Sequence, residues 1–385
     1  RSRERDLVVA MVAARILRPN SKLATTRWWH LTTLPAELGV AEASEDDLYA
    51  AMDWLLDRQP GIEKKLATRH LREGGMVLYD LTSSYLEGES CSLAARGHNR
   101  DGKKGKLQVN YGLLTDERGC PVSVSVFPGN TADPTMVVGQ VAKVQETFNI
   151  NKLVLVGDRG MISQQQIDQF KEMGGVDWIT ALRSGQIRKL LDDETNQFGL
   201  FDERNLVQFT HADFPGERLV VCRNPLVAER RAHKRQALLQ ATIRELDKVK
   251  GMVERGILTA KEKIGLRVGR VVNKYKVAKH FQLSIEDGGF TYRVLKEKVA
   301  AEAALDGLYV IRTSLSEQQS SAEDTVRHYK DLAKVEQAFR SLKSIDLAVR
   351  PIYHYLEKRV RAHIFLCMLA YYVQWHMKEA WRQML

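Results

Sequence analysis

Two strand-like segments, each associated with an aspartate, constrain the fold of this chain more than any other feature. Residues 152–156 form an almost continuous apolar run, which is typical of a strand buried on both faces, and Gly157 and Asp158 follow it. Residues 76–82 also have the composition of a strand, and we place Asp80 at its end. Because strands, a hairpin and helical segments alternate over residues 74–183, the pattern predicts a mixed α/β sheet with flanking helices.

A helical segment at residues 329–343 carries a third carboxylate. Tyr329, Glu336 and Lys343 are seven residues apart, so one continuous helix would place them on one face with a drift of about 20° per heptad. An apolar stripe that would pack on a core runs beside them: Leu332, Val335, Phe339 and Leu342. A charged face beside a buried face is also common in helices that have no function at all.

Charge and composition narrow the possible partners. The 385 residues carry 58 Lys and Arg against 48 Asp and Glu, and residues 229–279 alone have a net charge of +10, equal to that of the whole chain. Such a block favours a nucleic-acid partner, although a solvated basic helix has the same composition.

Four cysteines without CxxC spacing indicate a reduced compartment and no zinc knuckle. The apolar run at 364–373 is too short to cross a membrane, and the start at Arg1 suggests a piece of a longer protein.

The length predicts two or three domains. The segments are an N-terminal helical module, a first core segment, an inserted basic lobe, a catalytic-helix segment and a C-terminal helix: residues 1–73, 74–183, 184–314, 315–350 and 351–385. Within the lobe we expect short strands and turns at 184–224, and a basic helix or helix pair at 225–262. The C-terminal helix is expected to be amphipathic, which suits either a dimer contact or packing within the chain.

The three carboxylates are compatible with a metal site. If the two strands are parallel neighbours, Asp80 and Asp158 are about 4.8 Å apart across the sheet and point into one pocket, which Glu336 can close from the side. Three hard oxygen ligands favour Mg²⁺ or Mn²⁺ over zinc. Two such ions about 4 Å apart are the usual arrangement for in-line attack at phosphorus. A single aspartate after a strand often only caps a turn, so the prediction depends on all three residues.

Asp80, Asp158 and Glu336 resemble the D–D–E triad of bacterial insertion-sequence transposases, whose catalytic core has an RNase H-like fold. The 329–343 segment resembles the Y-(2)-R-(3)-E-(6)-K signature of one large branch of that class, with Tyr329 and Lys343 at the required spacings. Leu332 occupies the arginine position of the signature. Arg340, one turn beyond Glu336, is a candidate for the missing charge. Four further segments resemble matching parts of such transposases: RGHNRDGKKGKLQVNYGLLTD, VFPGNTADPT, VGDRGM and RPIYHYLEKRVRAH.

The resemblance implies cut-and-paste DNA transposition, in which water cleaves a strand at each element end and the freed 3′-OH attacks target DNA. It implies that Asp80, Asp158 and Glu336 are the catalytic metal ligands, with two Mg²⁺ (or Mn²⁺) ions per active site. The implied partner is double-stranded DNA, both terminal inverted repeats and target DNA, bound by a homodimer in the synaptic complex. The implied location is the bacterial cytoplasm, at the nucleoid, with no membrane partner. The lobe at 184–314 corresponds to the insertion domain of that family.

Twelve residues are expected to contact DNA: Tyr329, Lys343, Arg340, Arg159, Lys103, Lys104, Lys234, Arg235, Arg244, Lys248, Lys274 and Lys276. Lys343 is the stronger phosphate ligand of the signature, because a cation binds phosphate directly. Tyr329 could equally pack under its helix, and Arg159 could equally pair with Asp80 or Asp158. Two other functions fit the same sequence: a metal-dependent nuclease of RNase H-like fold that does not join strands, and an inactive transposon-derived DNA-binding protein.

Overall fold

The computed structural model describes residues 2–192 and 206–384. The chain divides into two compact units. The first contains Arg1–Ala181, Thr210–Arg218 and Arg312–Leu385, and the second contains Leu182–Phe209 and Leu219–Ile311. The N-terminal helices and the C-terminal helix therefore belong to the same compact unit as the sheet. The finer five-part division of the sequence stays a prediction, and residues 193–205 of the predicted lobe lie outside the described residues.

A group of five strands forms the centre of the first unit. They are β1 (Gly75–Tyr85), β2 (Gln108–Asp116), β3 (Pro121–Pro128), β4 (Leu153–Val156) and β5 (Val176–Ala181). Their spatial order is β3-β2-β1-β4-β5. Strands β1, β2 and β3 form an antiparallel meander, whereas β4 is parallel to both β1 and β5. All residues of β4 are buried, as its apolar sequence requires. The predicted fold class, a mixed α/β sheet with flanking helices, is confirmed.

The two faces of this sheet pack against different helices. Val77 and Tyr79 of β1 share one core with residues of α6 (Asp133–Ala142) and α7 (Gln164–Met173). On the other face the ring of Tyr111 in β2 meets Phe339 edge-on, with ring centroids 5.9 Å apart. Phe339 belongs to α13 (Leu332–Lys343), which packs against β1. Because side chains alternate along a strand, Asp80 lies on the face opposite Tyr79, which is the face that α13 covers.

The N-terminal helices precede the sheet in the chain, and some of them pack against the C-terminal helix. They are α1 (Arg3–Leu17), α2 (Lys22–Trp29), α3 (Leu34–Leu38), α4 (Glu45–Asp57) and α5 (Gln59–His70). Helices α1 and α4, together with strand β3, pack against α14 (Glu357–Ala380). Residues 362–368 of α14 are all buried, so the prediction of a one-sided amphipathic helix is wrong. A helix with apolar residues on every side is an interior helix, and its neighbours enclose it.

The second unit has a core of its own. Its helices are α8 (Ser184–Asp192), α9 (Pro225–Glu254), α10 (Lys261–Tyr275) and α11 (Lys296–Ala303). Its strands are β6 (Leu206–Phe209), β7 (Arg218–Arg223), β8 (Phe281–Glu286), β9 (Gly289–Val294) and β10 (Leu308–Thr313); the ends of β7 and β10 extend into the first unit's range. The core joins α9 and α10 to the β8–β9 hairpin through Leu246, Val268 and Phe290, among others.

Two local predictions for the lobe can be compared with this unit. The prediction of strands and turns from residue 184 is wrong at α8, because Ile187 and Leu190 are buried on one helical face, three residues apart. The basic segment at 225–262 is a single helix over most of its length, because α9 runs to Glu254 and α10 begins only at Lys261 and lies almost entirely beyond the segment. Among the helices in residues 2–192 and 206–384, none combines the length and apolar character needed to cross a bilayer.

Candidate active site

The register of the parallel strands brings Asp80 and Asp158 to the same level of the sheet. The pairing of β1 with β4 ends at Leu78 and Val156, and each aspartate lies two residues beyond that last pair. The prediction that Asp80 ends its strand is wrong, because β1 continues to Tyr85 in its antiparallel pairing with β2. The parallel ladder does end just before Asp80. The two aspartates are therefore neighbours where this ladder stops, as the sequence predicts.

The electrostatic interactions of Asp80 show that Glu336 lies near the two aspartates. The pKa of Asp80 is raised to about 7, mainly by burial and additionally by the carboxylates of Asp158 and Glu336. The backbone N–H of Leu81, which donates to Asp80 Oδ1 at 2.8 Å, and the nearby Arg100 act in the opposite direction. Charges influence one another in this way only at short range, so the three carboxylates share one site.

Helix α13 presents Glu336 to the site from its exposed side. Val335, Phe339 and Leu342 are buried on the opposite side of the helix, where α13 packs against the sheet. Glu336 itself is exposed. This division follows the helical period, because residues three and four apart lie on one face. The apolar stripe predicted for this segment is the face by which α13 is held.

The predicted continuous helix over residues 329–343 is interrupted. Helix α12 (Ala322–Lys330) ends before Asp331, and α13 starts anew at Leu332. The equal heptad spacing therefore does not place Tyr329 on the same helical face as Glu336. Tyr329 reaches the site from α12 instead, because its hydroxyl donates to Asp158 Oδ1 at 3.3 Å.

Lys343, at the end of α13, is engaged by a buried aspartate that the sequence analysis did not single out. The ammonium Nζ lies 2.8 Å from Asp101 Oδ1, and the Arg350 guanidinium pairs with the same oxygen. Asp101 Oδ2 accepts a hydrogen bond from the backbone N–H of Tyr85 at 3.1 Å. The Asp101 side chain is fully buried and that of Lys343 is 10% exposed. Burial lowers the pKa of Lys343, and the Asp101 carboxylate partly offsets this shift.

Arg100 is a second residue that the sequence analysis missed. Its guanidinium pairs with Asp133 Oδ2 at 2.5 Å, its backbone N–H donates to Ser83 Oγ at 3.1 Å, and its charge lowers the pKa of Asp80. Arg100 and Asp101 lie between β1 and β2, in a loop that is rich in Lys and Gly. The sequence shows the basic character of this loop but gives no sign of which residues turn inward.

The other residues predicted to contact DNA near this site all lie on the surface. Arg340, Arg159, Lys103 and Lys104 are exposed. Leu332, at the signature's arginine position, is buried on the packing face of α13. A charged side chain at that position would face the core, so the departure from the signature matches the local packing.

Of the six residues of the second unit that are predicted to contact DNA, five are exposed. Lys234, Arg244, Lys248, Lys274 and Lys276 are exposed, and the charges of Lys248, Lys274 and Arg244 lower the pKa of Glu245. Arg235 is 11% exposed and pairs with Asp306 Oδ2 at 2.6 Å. The prediction of Arg235 as a surface cation facing DNA is therefore wrong, because its charge is already matched inside the unit.

The donor set at Asp80, Asp158 and Glu336 fits a hard divalent ion. All three ligands would be carboxylate oxygens, which magnesium and manganese prefer. The raised pKa of Asp80 reflects crowding of negative charge and burial, and a bound divalent cation would relieve the crowding. The fold and site together define a protein of the DDE class, in which a mixed sheet and a helix supply the acidic triad.

The family assignment agrees with this class. Residues 76–373 match the family described as Transposase DDE domain, so the chain belongs to that family. This class of enzymes depends on divalent metal ions and cleaves and joins DNA. A search of curated proteins found no similar sequence.

Two solved structures are similar to the chain. One is the cryo-EM structure of the piggyBac transposase synaptic complex with hairpin DNA, at 7% identity and a TM-score of 0.45, covering 97% of this chain and 66% of that one. The other is the Mos1 transposase paired-end complex with the left transposon end, at 9% identity and a TM-score of 0.20, covering 52% of this chain and 64% of that one. The chain spans less than two thirds of the length of either structure.

Proposed function

We propose that this chain is a transposase that cleaves DNA at the ends of a mobile element and joins the freed 3′-OH to target DNA. The observation that carries the proposal is the convergence of Asp80, Asp158 and Glu336 where the β1–β4 ladder stops. In this proposal the three residues are the catalytic metal ligands and hold two Mg²⁺ (or Mn²⁺) ions. Such ions, when bound, activate the attacking oxygen and stabilise the leaving oxygen of an in-line displacement.

The surrounding residues have distinct roles in this proposal. Asp80 gives up its proton to solvent when a cation binds, since its pKa of about 7 leaves it partly protonated near neutrality. The Tyr329 hydroxyl orients the carboxylate of Asp158. The Lys343–Asp101 pair fixes the end of α13, and with it the position of Glu336.

Double-stranded DNA is the proposed substrate, both as terminal inverted repeats and as target. The exposed cations Arg159, Arg340, Lys103 and Lys104 are proposed to contact phosphates near the scissile bond. The exposed cations of α9 and α10 form a proposed second footprint: Lys234, Arg244, Lys248, Lys274 and Lys276. Lys343 is a weaker candidate for phosphate than its place in the signature suggests, because Asp101 already holds its ammonium.

The assignments of family branch, dimer and cellular location rest on the resemblance of the sequence to bacterial insertion-sequence transposases. We infer a bacterial insertion-sequence enzyme of the Y-R-E-K branch, with Leu332 as its departure from the signature. We also infer a homodimer that pairs two element ends, working on chromosomal DNA in the cytoplasm. The middle of helix α14 is not the proposed dimer surface, because residues 362–368 are all buried within the first unit.

A strand-transfer assay tests the proposal. Duplexes carrying the inverted repeats that bracket the coding region are incubated with the protein, plasmid DNA and Mg²⁺ or Mn²⁺. Wild type should cleave at the repeat and produce plasmid joined to the 3′ end of the duplex. Asp158→Asn should bind DNA but neither cut nor join it, whereas Asp168→Asn, which changes an exposed carboxylate of α7, should do both.

Two outcomes would replace this proposal with one of its alternatives. Metal-dependent cleavage that never yields joined product from pre-cut ends would indicate a nuclease of the same fold. DNA binding by wild type without any cleavage in either metal would indicate an inactive transposon-derived DNA-binding protein.

A further inference from the structure

A second group of potential metal ligands lies in the first unit, built from residues distinct from the acidic triad. His70 is the last residue of α5, Cys120 precedes β3, and His376 lies in the last third of α14. Cys120 Sγ is 3.9 Å from the Nε2 atoms of both His70 and His376. The three potential ligand atoms all lie within 4.8 Å of one another.

These distances are close to those of a tetrahedral metal centre. Bonds of about 2.3 Å to sulfur and about 2.0 Å to nitrogen, at the tetrahedral angle, separate the sulfur and nitrogen atoms by about 3.5 Å. The two observed sulfur–nitrogen separations of 3.9 Å need to shorten by only a few tenths of an ångström. The two nitrogens, which lie within 4.8 Å of each other, would also have to approach each other for a single ion to bind all three atoms.

Asp116 lies near the Nδ1 atom of His70. A metal at Nε2 would place the ring proton on Nδ1, and Asp116 Oδ2, which is 3.9 Å from that atom, would have to move closer to accept a hydrogen bond from it. Asp116 is held in place by Arg118, whose Nη2 lies 2.8 Å from Asp116 Oδ2 and 3.4 Å from His70 Nδ1. The Arg118 charge therefore sits on the Nδ1 side of the ring, away from the nitrogen that faces Cys120.

The cluster is shielded and neutral in the absence of metal. The His70 side chain is 3% exposed and Cys120 is fully buried. Burial lowers the pKa of both His70 and His376 and raises the pKa of the Cys120 thiol to about 12. Neutral imidazoles are ready to bind metal, whereas the thiol must lose its proton to solvent when the ion enters. The Tyr372 hydroxyl, 2.9 Å from His70 Nε2, is the nearest group for the fourth position if water does not fill it.

We propose that His70, Cys120 and His376 form a structural site for a borderline-soft divalent ion, with Zn²⁺ as the preferred occupant. Two nitrogens and one thiolate suit zinc, whereas the carboxylates of the active site suit magnesium. The ligands come from α5, the β2–β3 connection and α14, so the ion would tie an N-terminal helix, the edge of the sheet and the C-terminal helix together. The proposal is independent of DNA binding and of the reaction at Asp80.

Cobalt and zinc binding to the full chain test the proposal. Co²⁺ added to metal-free protein should produce a thiolate-to-cobalt charge-transfer band with one ion per chain, and stoichiometric Zn²⁺ should abolish it. The band should persist in Asp158→Asn, in which the acidic site is impaired, and in Cys91→Ser, which changes a buried cysteine elsewhere in the unit. It should be absent in Cys120→Ser.

A second variant tests the proposal in case Cys120→Ser does not fold. His376 is only partly buried, so His376→Gln should fold and yet bind Zn²⁺ at least about 100-fold more weakly, because loss of a supporting group behind a ligand already costs about 10- to 100-fold. Zn²⁺ should raise the melting temperature of wild type by several degrees and have little effect on His376→Gln. A wild-type protein with no cobalt band, or a band and a zinc shift that survive in His376→Gln, would overturn the proposal.

Discussion

Folding of the metal-free protein favours the protonated form of Asp80, whereas metal binding requires its ionised form. Its ordinary pKa of 3.8 rises to about 7, because the side chain is buried and faces two other carboxylates. The folded protein therefore keeps this proton to a higher pH than the unfolded chain does. The free energy of unfolding of the metal-free protein consequently falls as the pH rises from about 4 to about 7, since the folded state binds more protons over that range.

The variant Asp80→Asn should remove this loss of stability. At about pH 8 and without metal, we expect the variant to exceed wild type in unfolding free energy by up to about 4 kcal/mol, with the difference vanishing near pH 4. Urea unfolding at several pH values measures this difference. Adding Mn²⁺ should stabilise wild type more than the variant. A wild type that is the more stable protein at pH 8 without metal would contradict the assigned environment of Asp80.

The variant Glu336→Gln should lose DNA cleavage and keep the stability of wild type. Glu336 is exposed and contributes little packing, so the melting temperature should stay close to that of wild type. Cleavage should fall by at least about 100-fold, because a metal ligand has become a neutral amide. Glu323→Gln, at an exposed position of α12, is the matched control and should keep its activity. Equal losses in both variants would remove Glu336 from the active site.

At the scale of elements, the position of α13 depends on the buried carboxylate of Asp101. Lys343 from α13 and Arg350 from the following segment both pair with it, and the backbone N–H of Tyr85 ties it to β1. This small network connects the strand that carries Asp80 to the helix that carries Glu336. Its geometry therefore controls the distance between two of the proposed metal ligands.

Replacing Asp101 with Asn should destabilise the protein strongly. Two cations would lose their counter-charge in a mostly buried environment, and such losses cost about 3–5 kcal/mol. Chemical unfolding should show this decrease. The exposed pair Lys106–Glu87 is the control, and its removal by Lys106→Ala should cost about 1 kcal/mol or less. A small effect of Asp101→Asn would mean that the network does not hold α13.

The extent to which the sequence predicts these elements depends on the range of the interactions. The strands at 76–82 and 152–156 and the apolar stripe of α13 are visible in local patterns, whereas the convergence of three carboxylates is predicted from an assumed parallel pairing of the strands and from the resemblance to the D–D–E triad. The ion pair of Asp101 with Lys343 joins residues 242 positions apart, and no local pattern reveals it. The break at Asp331 is also hidden, because both flanking segments have good helical periodicity. The burial of Arg235 depends on Asp306, which lies 71 positions away.

In the whole molecule, the acidic triad and the block of basic residues lie in different units. The carboxylate triad belongs to the first unit, whereas the block with a net charge of +10 belongs to the second. If the second unit binds DNA through that block, its contribution to affinity must depend steeply on salt.

Neutralising four exposed cations of the second unit should reveal this dependence. A fourfold variant combines Lys234→Gln, Arg244→Gln, Lys248→Gln and Lys274→Gln. The slope of log affinity against log salt should become less steep by about 0.9 for each phosphate contact that is lost. Fluorescence anisotropy at several salt concentrations measures the slope. Arg235→Gln is the informative comparison, because its partner is Asp306, and it should reduce stability and leave the slope unchanged. An unaltered slope in the fourfold variant would place the footprint elsewhere.

The enclosure of α14 has a consequence for shortened gene products. Helices α1 and α4 and strand β3 all rest on it, so a polypeptide that stops before Glu357 would leave bare apolar surface on each of them. Such a product would aggregate or be degraded, and it would not persist as a DNA-bound competitor of the intact protein. A frameshift late in the gene should therefore silence the element without creating an inhibitor of its sister copies.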